Sequence, residues 1–70
     1  MELIDVNSSN IRRLGYDEPS KTLIIVFKSG SAYEFADVPK EIYEKLLQTP
    51  SIGTFFTKYV RDKFTYKKIT

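Results

Sequence analysis

The fold is decided by the stretch Val26-Phe27-Lys28-Ser29-Gly30-Ser31-Ala32-Tyr33-Glu34-Phe35. Two runs rich in β-branched and aromatic residues flank a short polar segment with a glycine, which predicts two antiparallel strands joined by a tight turn. After two further residues, Val38-Pro39-Lys40-Glu41-Ile42-Tyr43 begins a helical pattern. Residues 26–43 therefore predict a β-hairpin that leads directly into a helix.

The turn of this hairpin allows two registers. A two-residue Ser29-Gly30 loop would pair Val26 with Tyr33, whereas a three-residue loop ending in a left-handed glycine would pair Ile25 with Tyr33. Because a shift of one residue exchanges the faces of one strand relative to the other, the register decides which side chains lie together. We favour the three-residue loop, since it gathers nearly all the large apolar side chains on one face: Leu23, Ile25, Phe27, Tyr33 and Phe35.

The part of the chain up to the hairpin loop predicts two strands of the meander. Residues 11–16 form the first strand, with Leu14 and Tyr16 on one face. Residues 22–28 form the second, which is the strongest strand pattern in the chain and also the first strand of the hairpin. The lead-in at residues 1–7 can dock as a short edge strand through Leu3, Ile4 and Val6.

The segments after the hairpin predict two helices and a short last element. Asp37 or Val38 caps the first helix, with Pro39 in its first turn, and Thr49-Pro50 ends it. Ser51 caps the second helix, whose apolar stripe consists of Ile52, Phe55, Phe56, Tyr59 and Val60. Residues 64–69 extend either as a last strand or as an ordered tail.

These elements predict an α+β fold in a single domain, residues 1–70. A three-stranded antiparallel meander is followed by two helices packed on one face of the sheet. With a short C-terminal strand, the order of the elements is β-β-β-α-α-β. The sequence alone leaves open which face of the sheet the helices cover.

The composition excludes several classes of chemistry. The chain has no cysteine and no histidine, so it lacks disulfides, thiolate metal sites, a cysteine nucleophile and the commonest general base. The glycines Gly15, Gly30 and Gly53 stand far apart, so there is no glycine-rich phosphate loop. We therefore predict no catalytic activity, no cofactor and no metal site. The short apolar runs and the acidic N-terminus predict neither a membrane span nor a signal peptide, and we expect a cytoplasmic protein.

Positive charge is concentrated near the end of the chain, although the formal net charge is only +2. Residues 58–70 hold five cations and one acid, and the aromatic residues Tyr59, Phe64 and Tyr66 lie between them. This mixture is typical of sites that bind single-stranded nucleic acid. Arg12 and Arg13 join the group if the first strand and the C-terminal segment are neighbours. The candidate nucleic-acid-binding residues are Arg12, Arg13, Tyr33, Lys58, Arg61, Lys67 and Lys68.

Each of these features also has a simpler interpretation. Lysines on the exposed face of a helix are ordinarily only solvated, and a domain of 70 residues needs large aromatic rings to build its core. Tyr33 is compatible with both roles, because a tyrosine ring can be buried while its hydroxyl reaches the rim of the core.

An ordered series of residues resembles the KTSC domain family. The series is Val6-x-Ser8-Ser9-x-Ile11-x-x-Leu14-Gly15-Tyr16-Asp17, Leu23-x-Ile25-x-Phe27-Lys28-x-Gly30-x-x-Tyr33-x-Phe35-x-x-Val38-Pro39, Tyr43, Ser51-x-Gly53, Arg61 and Tyr66. The family takes its name from a C-terminal extension of some lysyl-tRNA synthetases and also includes stand-alone bacterial and phage proteins. The resemblance covers residues 6–68 and implies no established activity, although RNA binding is suggested for the family.

The central signature of this family is Tyr-x-Tyr, which here is Tyr33-Glu34-Phe35. The phenylalanine removes one hydroxyl, which favours a packing role for Phe35 and leaves Tyr33 as the better candidate for a functional contact. We therefore predict a small non-catalytic binding module whose partner is RNA or another single-stranded nucleic acid. The alternative is a protein–protein interaction module, either a homodimer or a bacterial or phage protein that engages a host factor, with Ile24 and Val26 on the contact face.

Overall fold

The computed structural model describes residues 2–70. Its elements are, in chain order, β1 (Leu3–Asp5), β2 (Ile11–Asp17), β3 (Thr22–Phe27), β4 (Ala32–Phe35), α1 (Lys40–Gln48), α2 (Ile52–Tyr59) and β5 (Tyr66–Lys68). All five strands form one antiparallel sheet in the order β1-β2-β3-β4-β5. The predicted α+β fold class is confirmed. Of the two alternatives for residues 64–69, the C-terminal strand is confirmed and the ordered tail is not.

The predicted number of strands before the helices was wrong, because there are four and not three. The extra strand is β1, in which Leu3 pairs with Gly15 and Asp5 with Arg13. All three residues of β1 are exposed at the sheet edge. Docking of this segment as a short edge strand, which the sequence allowed, is confirmed for residues 3–5. The predicted meander omits it because a strand this short and exposed has no buried face and therefore little apolar alternation.

The hairpin register follows the three-residue loop. The Phe27 N–H donates to the Ser31 carbonyl at 2.8 Å, and the Gly30 N–H donates to the Phe27 carbonyl at 3.0 Å. Gly30 has a φ of 102°, a backbone conformation that L side chains rarely adopt. Ile25 consequently lies opposite Tyr33, as the favoured register predicts.

The two helices cover the face of the sheet that carries the large apolar side chains. The Phe56 ring of α2 meets the rings of Phe27 and Phe35 with centroids 5.6 and 5.5 Å away. Tyr43 of α1 stacks on Tyr16 of β2 at 5.2 Å. The buried core consists of Ile11, Leu14, Leu23, Ile25, Phe35, Val38, Leu46, Ile52, Phe56 and Val60. Neither of the two helices in residues 2–70 lies on the opposite face of the sheet.

The first helix begins later than predicted. Pro39 itself occupies the N-cap position in an extended conformation, and neither Asp37 nor Val38 caps α1. Val38 is fully buried, its N–H donates to the Lys21 carbonyl, and its carbonyl accepts the Tyr16 hydroxyl. Both backbone groups of Val38 are thus used to join the chain to β2 and the β2–β3 turn, which leaves capping to its neighbour.

The second helix begins after Ser51, as predicted, although the Ser51 hydroxyl donates to Thr54 Oγ1 and makes no capping hydrogen bond. Its predicted stripe is buried in part. Ile52 and Phe56 lie in the core, whereas Tyr59 is 45% exposed and packs on Phe55. The helix therefore presents a narrow apolar face to the sheet, and Tyr59, at the side of that face, stays accessible to solvent.

Candidate nucleic-acid interface

A groove of about 420 Å³ opens between the β3–β4 hairpin, β5 and the C-terminal half of α2. Its floor is aromatic and its rim is polar. The floor consists of Phe27, Tyr33, Phe35, Phe56 and Tyr66. The rim includes Asn10, Ser31, Thr57, Arg61 and Asp62. We call this cavity the aromatic groove.

The rings of the floor contact one another in a continuous network. Tyr66 lies against Tyr33 and Phe35, with ring centroids 5.7 and 5.6 Å away. Phe27 joins the network through an edge-to-face contact with Tyr33, and Phe56 contacts Phe27 and Phe35 from the helix side. Tilted and edge-to-face pairs are the favoured aromatic geometries, so the network holds each ring in place.

Exposure increases along this network from the core to the surface. Phe35 is 2% exposed, Tyr33 is half-buried, and Tyr66 is 55% exposed. The packing role expected for Phe35 is confirmed by its burial. Tyr33 belongs to both environments, since its ring packs on Phe27 while it also lines the groove.

Tyr16 and Tyr33 differ in their hydrogen bonding. Tyr16 donates its hydroxyl to the Val38 carbonyl. Burial first, and the Glu18 carboxylate second, raise the pKa of Tyr16, so that this phenol stays protonated as a structural donor. Within residues 2–70 the Tyr33 hydroxyl has no hydrogen-bond partner. It is therefore free to bond a ligand in the groove.

The predicted cations divide into two groups, and one group lies beside the groove. Arg61 lines it directly. Lys68 of β5 pairs opposite Tyr33, which places the two residues on the same side of the sheet. Lys58 lies on α2, with its ammonium group 5.6 Å from the centre of the Tyr59 ring. These three exposed cations border the helix side of the molecule.

The other predicted cations lie on or near the helix-free face. Arg13 donates to Asp5 Oδ1 at 2.7 Å, and Lys67 lies 3.8 Å from Glu34 Oε1. Arg12 is exposed at a β-bulge in β2. Because β3 and β4 separate β2 from β5, the arginines do not join the C-terminal cations.

Several residues of the groove were not among the predicted site residues. Tyr66 comes closest, since the sequence placed it between cations, but its contact with Tyr33 depends on β5 pairing with β4. Asn10 belongs to the polar segment Ser8-Ser9-Asn10, whose composition is typical of a turn, and Thr57 carries no sequence signal of its own. The two residues line the same cavities because the chain before β2 lies beside α2, a tertiary relationship that spacing along the chain does not reveal.

A second cavity, of about 650 Å³, adjoins the first and is lined mainly by hydroxyl and amide side chains. It lies between residues 7–10 and the N-terminal half of α2, and Lys58 is its one cationic lining residue. Asn10 and Thr57 line both cavities. We call this second cavity the polar cavity.

Residues 2–70 contain no group of three or more acidic, histidine or cysteine side chains placed to hold a metal ion. Neither α1 nor α2 is long and apolar enough to cross a membrane.

Comparison with known proteins identifies the family. Residues 7–64 match the profile of the KTSC domain. The chain belongs to the KTSC domain family. The crystal structure of a KTSC domain protein from Yersinia pestis superimposes with a TM-score of 0.93 at 31% identity, over 99% of this chain and 97% of that one.

Two kinds of relative share the KTSC domain sequence. A lysine–tRNA ligase from Nostoc punctiforme is 35% identical over 68 residues, which is 97% of this chain but 12% of the ligase. A protein from Stutzerimonas stutzeri is 36% identical over 63 residues, which is 90% of this chain and 89% of that protein. The KTSC domain thus occurs both within a much larger enzyme and in a protein of nearly its own length.

Proposed function

We propose that this KTSC domain is a non-catalytic module that binds single-stranded nucleic acid, RNA in the first place, in the aromatic groove. The observation that carries the proposal is the pair of contacting tyrosines, Tyr33 and Tyr66, at the open end of a fixed aromatic network. Exposed rings offer a surface on which unpaired bases stack, and stacking accepts any base because each has a π-face.

The charges around the groove favour stacking as the main source of affinity. Arg61 lines the groove together with Asp62, whose negative charge limits the total attraction of the groove for phosphates. Two further positive charges lie nearby, since Lys68 pairs opposite Tyr33 and Lys58 lines the adjoining polar cavity. If about two phosphates are neutralised, the logarithm of the affinity should fall with the logarithm of the salt concentration with a slope of roughly −1.4. Binding is then only moderately sensitive to salt.

The relatives support the same proposal. One relative that contains this domain is a lysine–tRNA ligase, an enzyme whose name gives an RNA as its substrate. A domain appended to such an enzyme is placed where tRNA is present, and a single-strand binding surface would add contacts to unpaired nucleotides. A cytoplasmic location, where RNA is available to the domain, belongs to the same proposal.

Fluorescence anisotropy with labelled hexauridine at 50 mM salt tests the proposal. We expect the Tyr66→Ala variant to bind about 1–3 kcal/mol more weakly than the unmodified domain, the usual effect of removing one stacking ring. Tyr59→Ala is the matched control, because Tyr59 is an exposed tyrosine that does not line the groove. Absence of binding by the unmodified domain, or equal losses in both variants, would contradict the proposal.

A second candidate function is self-association through the helix-free face of the sheet. Ile24 and Val26 lie there half-buried, and Leu3, in register with Gly15 and Ile24, is 41% exposed. Apolar side chains on an uncovered sheet face favour contact with another protein surface. Sedimentation over a wide concentration range tests a homodimer, with Val26→Lys as the disrupting variant. A constant monomer mass at high concentration would rule the homodimer out.

A further inference from the structure

The polar cavity has an unusual balance of neutral and charged groups. Its lining includes seven hydroxyl or amide side chains, a single cation, and no acidic residue in the part of the chain that the structure describes. A site for phosphates would be expected to gather cations. Neutral groups that both donate and accept hydrogen bonds match sugar hydroxyls instead, since a hydroxyl also does both.

Part of this polar lining is already satisfied within the protein. Ser8 donates its hydroxyl to Asn10 Oδ1 at 3.3 Å, and the Ser51 hydroxyl donates to Thr54 Oγ1 at 2.9 Å. Within residues 2–70, the side chains of Ser9 and Thr57 have no such partner. The side-chain amide nitrogen of Asn10 also has no partner in this range, because the hydrogen bond from Ser8 goes to Asn10 Oδ1.

Asn10 and Thr57 stand where the two cavities meet. Both line the aromatic groove and the polar cavity. Asn10 lies directly on α2 at Gly53, where a Cβ atom would come within 2.7 Å of Asn10 Oδ1. The absence of a side chain at Gly53 thus lets the amide sit against the helix between the cavities. A strand whose bases stack on Tyr33 and Tyr66 would pass over this junction next.

We infer that the polar cavity is a ribose-binding subsite that continues the path of the strand, and that it makes the domain prefer RNA to DNA of the same sequence. The inference rests on the proposed function of the aromatic groove. Thr57 and Asn10 are the residues that bond the 2′-hydroxyl, the one group by which the two nucleic acids differ when both carry uracil. Loss of one such hydrogen bond lowers the affinity about fivefold.

The test compares labelled hexauridine with hexadeoxyuridine, which have the same bases and the same number of phosphates. We expect the unmodified domain to bind the RNA at least about fivefold more tightly. Thr57→Val removes a hydroxyl at nearly constant shape, and we expect it to abolish most of this preference, because the affinity for hexauridine should fall about fivefold more than the affinity for hexadeoxyuridine. Asn10→Ala should act in the same direction. Thr65→Val is the matched control, because Thr65 is exposed and lines neither cavity.

The outcomes separate this inference from the proposed function. Equal affinities of the unmodified domain for both oligonucleotides would overturn the ribose subsite and leave the aromatic groove as the binding site. Equal losses for RNA and DNA in Thr57→Val would also overturn it, because they would indicate a structural role. Binding to neither oligonucleotide would overturn the proposed function and the inference together. Circular dichroism of each variant verifies that the fold is retained.

Discussion

The ring of Tyr66 lies against the ring of Tyr33, with centroids 5.7 Å apart and planes inclined at 58°. The two residues come from neighbouring strands that are far apart in the chain, β4 and β5, and Tyr66 is the more exposed of the pair. Tyr33 is held from behind by Phe27. A half-buried ring therefore positions an exposed one, which makes Tyr33 a support for the groove as well as part of its surface.

We expect Tyr33→Phe to change the free energy of unfolding by no more than about 0.5 kcal/mol. The ring contacts with Phe27 and Tyr66 persist, and the lost hydroxyl has no partner in the folded protein. Binding of hexauridine should weaken by about 1 kcal/mol if that hydroxyl bonds the ligand. Urea unfolding and anisotropy measure the two quantities on one sample. A large loss of stability would show that the Tyr33 hydroxyl has a structural partner.

Replacement of Arg61 by glutamine should weaken binding and lower its salt dependence. Arg61 is the cation that lines the aromatic groove, so its removal takes away about one phosphate contact and reduces the salt slope by roughly 0.7 for a single strand. Anisotropy titrations between 50 and 200 mM salt measure the slope. Lys45→Gln removes the same charge from the exposed face of α1 and serves as the control. Equal slopes for the two variants would place the phosphates elsewhere.

Tyr16 should contribute to stability in a manner that depends on pH. Its pKa is raised by burial, so its contribution is fully present below about pH 10, the ordinary pKa of tyrosine, and is lost as the pH rises through the higher folded value. Tyr16→Phe loses the hydrogen bond to Val38 and should be about 1 kcal/mol less stable at pH 7. The difference from the unmodified domain should shrink in urea unfolding above pH 10. A difference that stays constant with pH would contradict the assignment.

The sequence predicts local structure well where one face of an element is buried. The hairpin register followed from the apolar side chains of β3 and β4, because the alternative register, shifted by one residue, would divide them between the two faces. At Arg12 a prediction from strand alternation fails. Strict alternation from Leu14 would place Arg12 towards the helices, but a bulge between Ile11 and Arg13 puts Ile11 in the core instead.

The candidate site depends on relationships that no local pattern contains. Tyr66 reaches Tyr33 only because β5 adds to the sheet beside β4 rather than beside β2. Asn10 and Thr57 line the same cavities because the chain before β2 lies beside α2. Both relationships depend on strand order and helix placement. The same elements of a small α+β domain can be arranged in more than one topology, so the sequence of elements alone does not determine them. Composition could therefore suggest nucleic-acid binding as a hypothesis, but it could not show which of the predicted cations lie beside the aromatic groove.

Gly30 should be the most sensitive position of the β3–β4 loop. Its φ of 102° is unfavourable for any residue with a Cβ atom, although nothing lies within 4 Å of where that atom would be. Gly30→Ala should therefore cost about 1–2 kcal/mol of stability through backbone strain alone. Ser29→Ala changes the neighbouring exposed residue and should stay within about 0.5 kcal/mol. Urea unfolding measures both, and equal stabilities for the two variants would mean that the loop has a different conformation in solution.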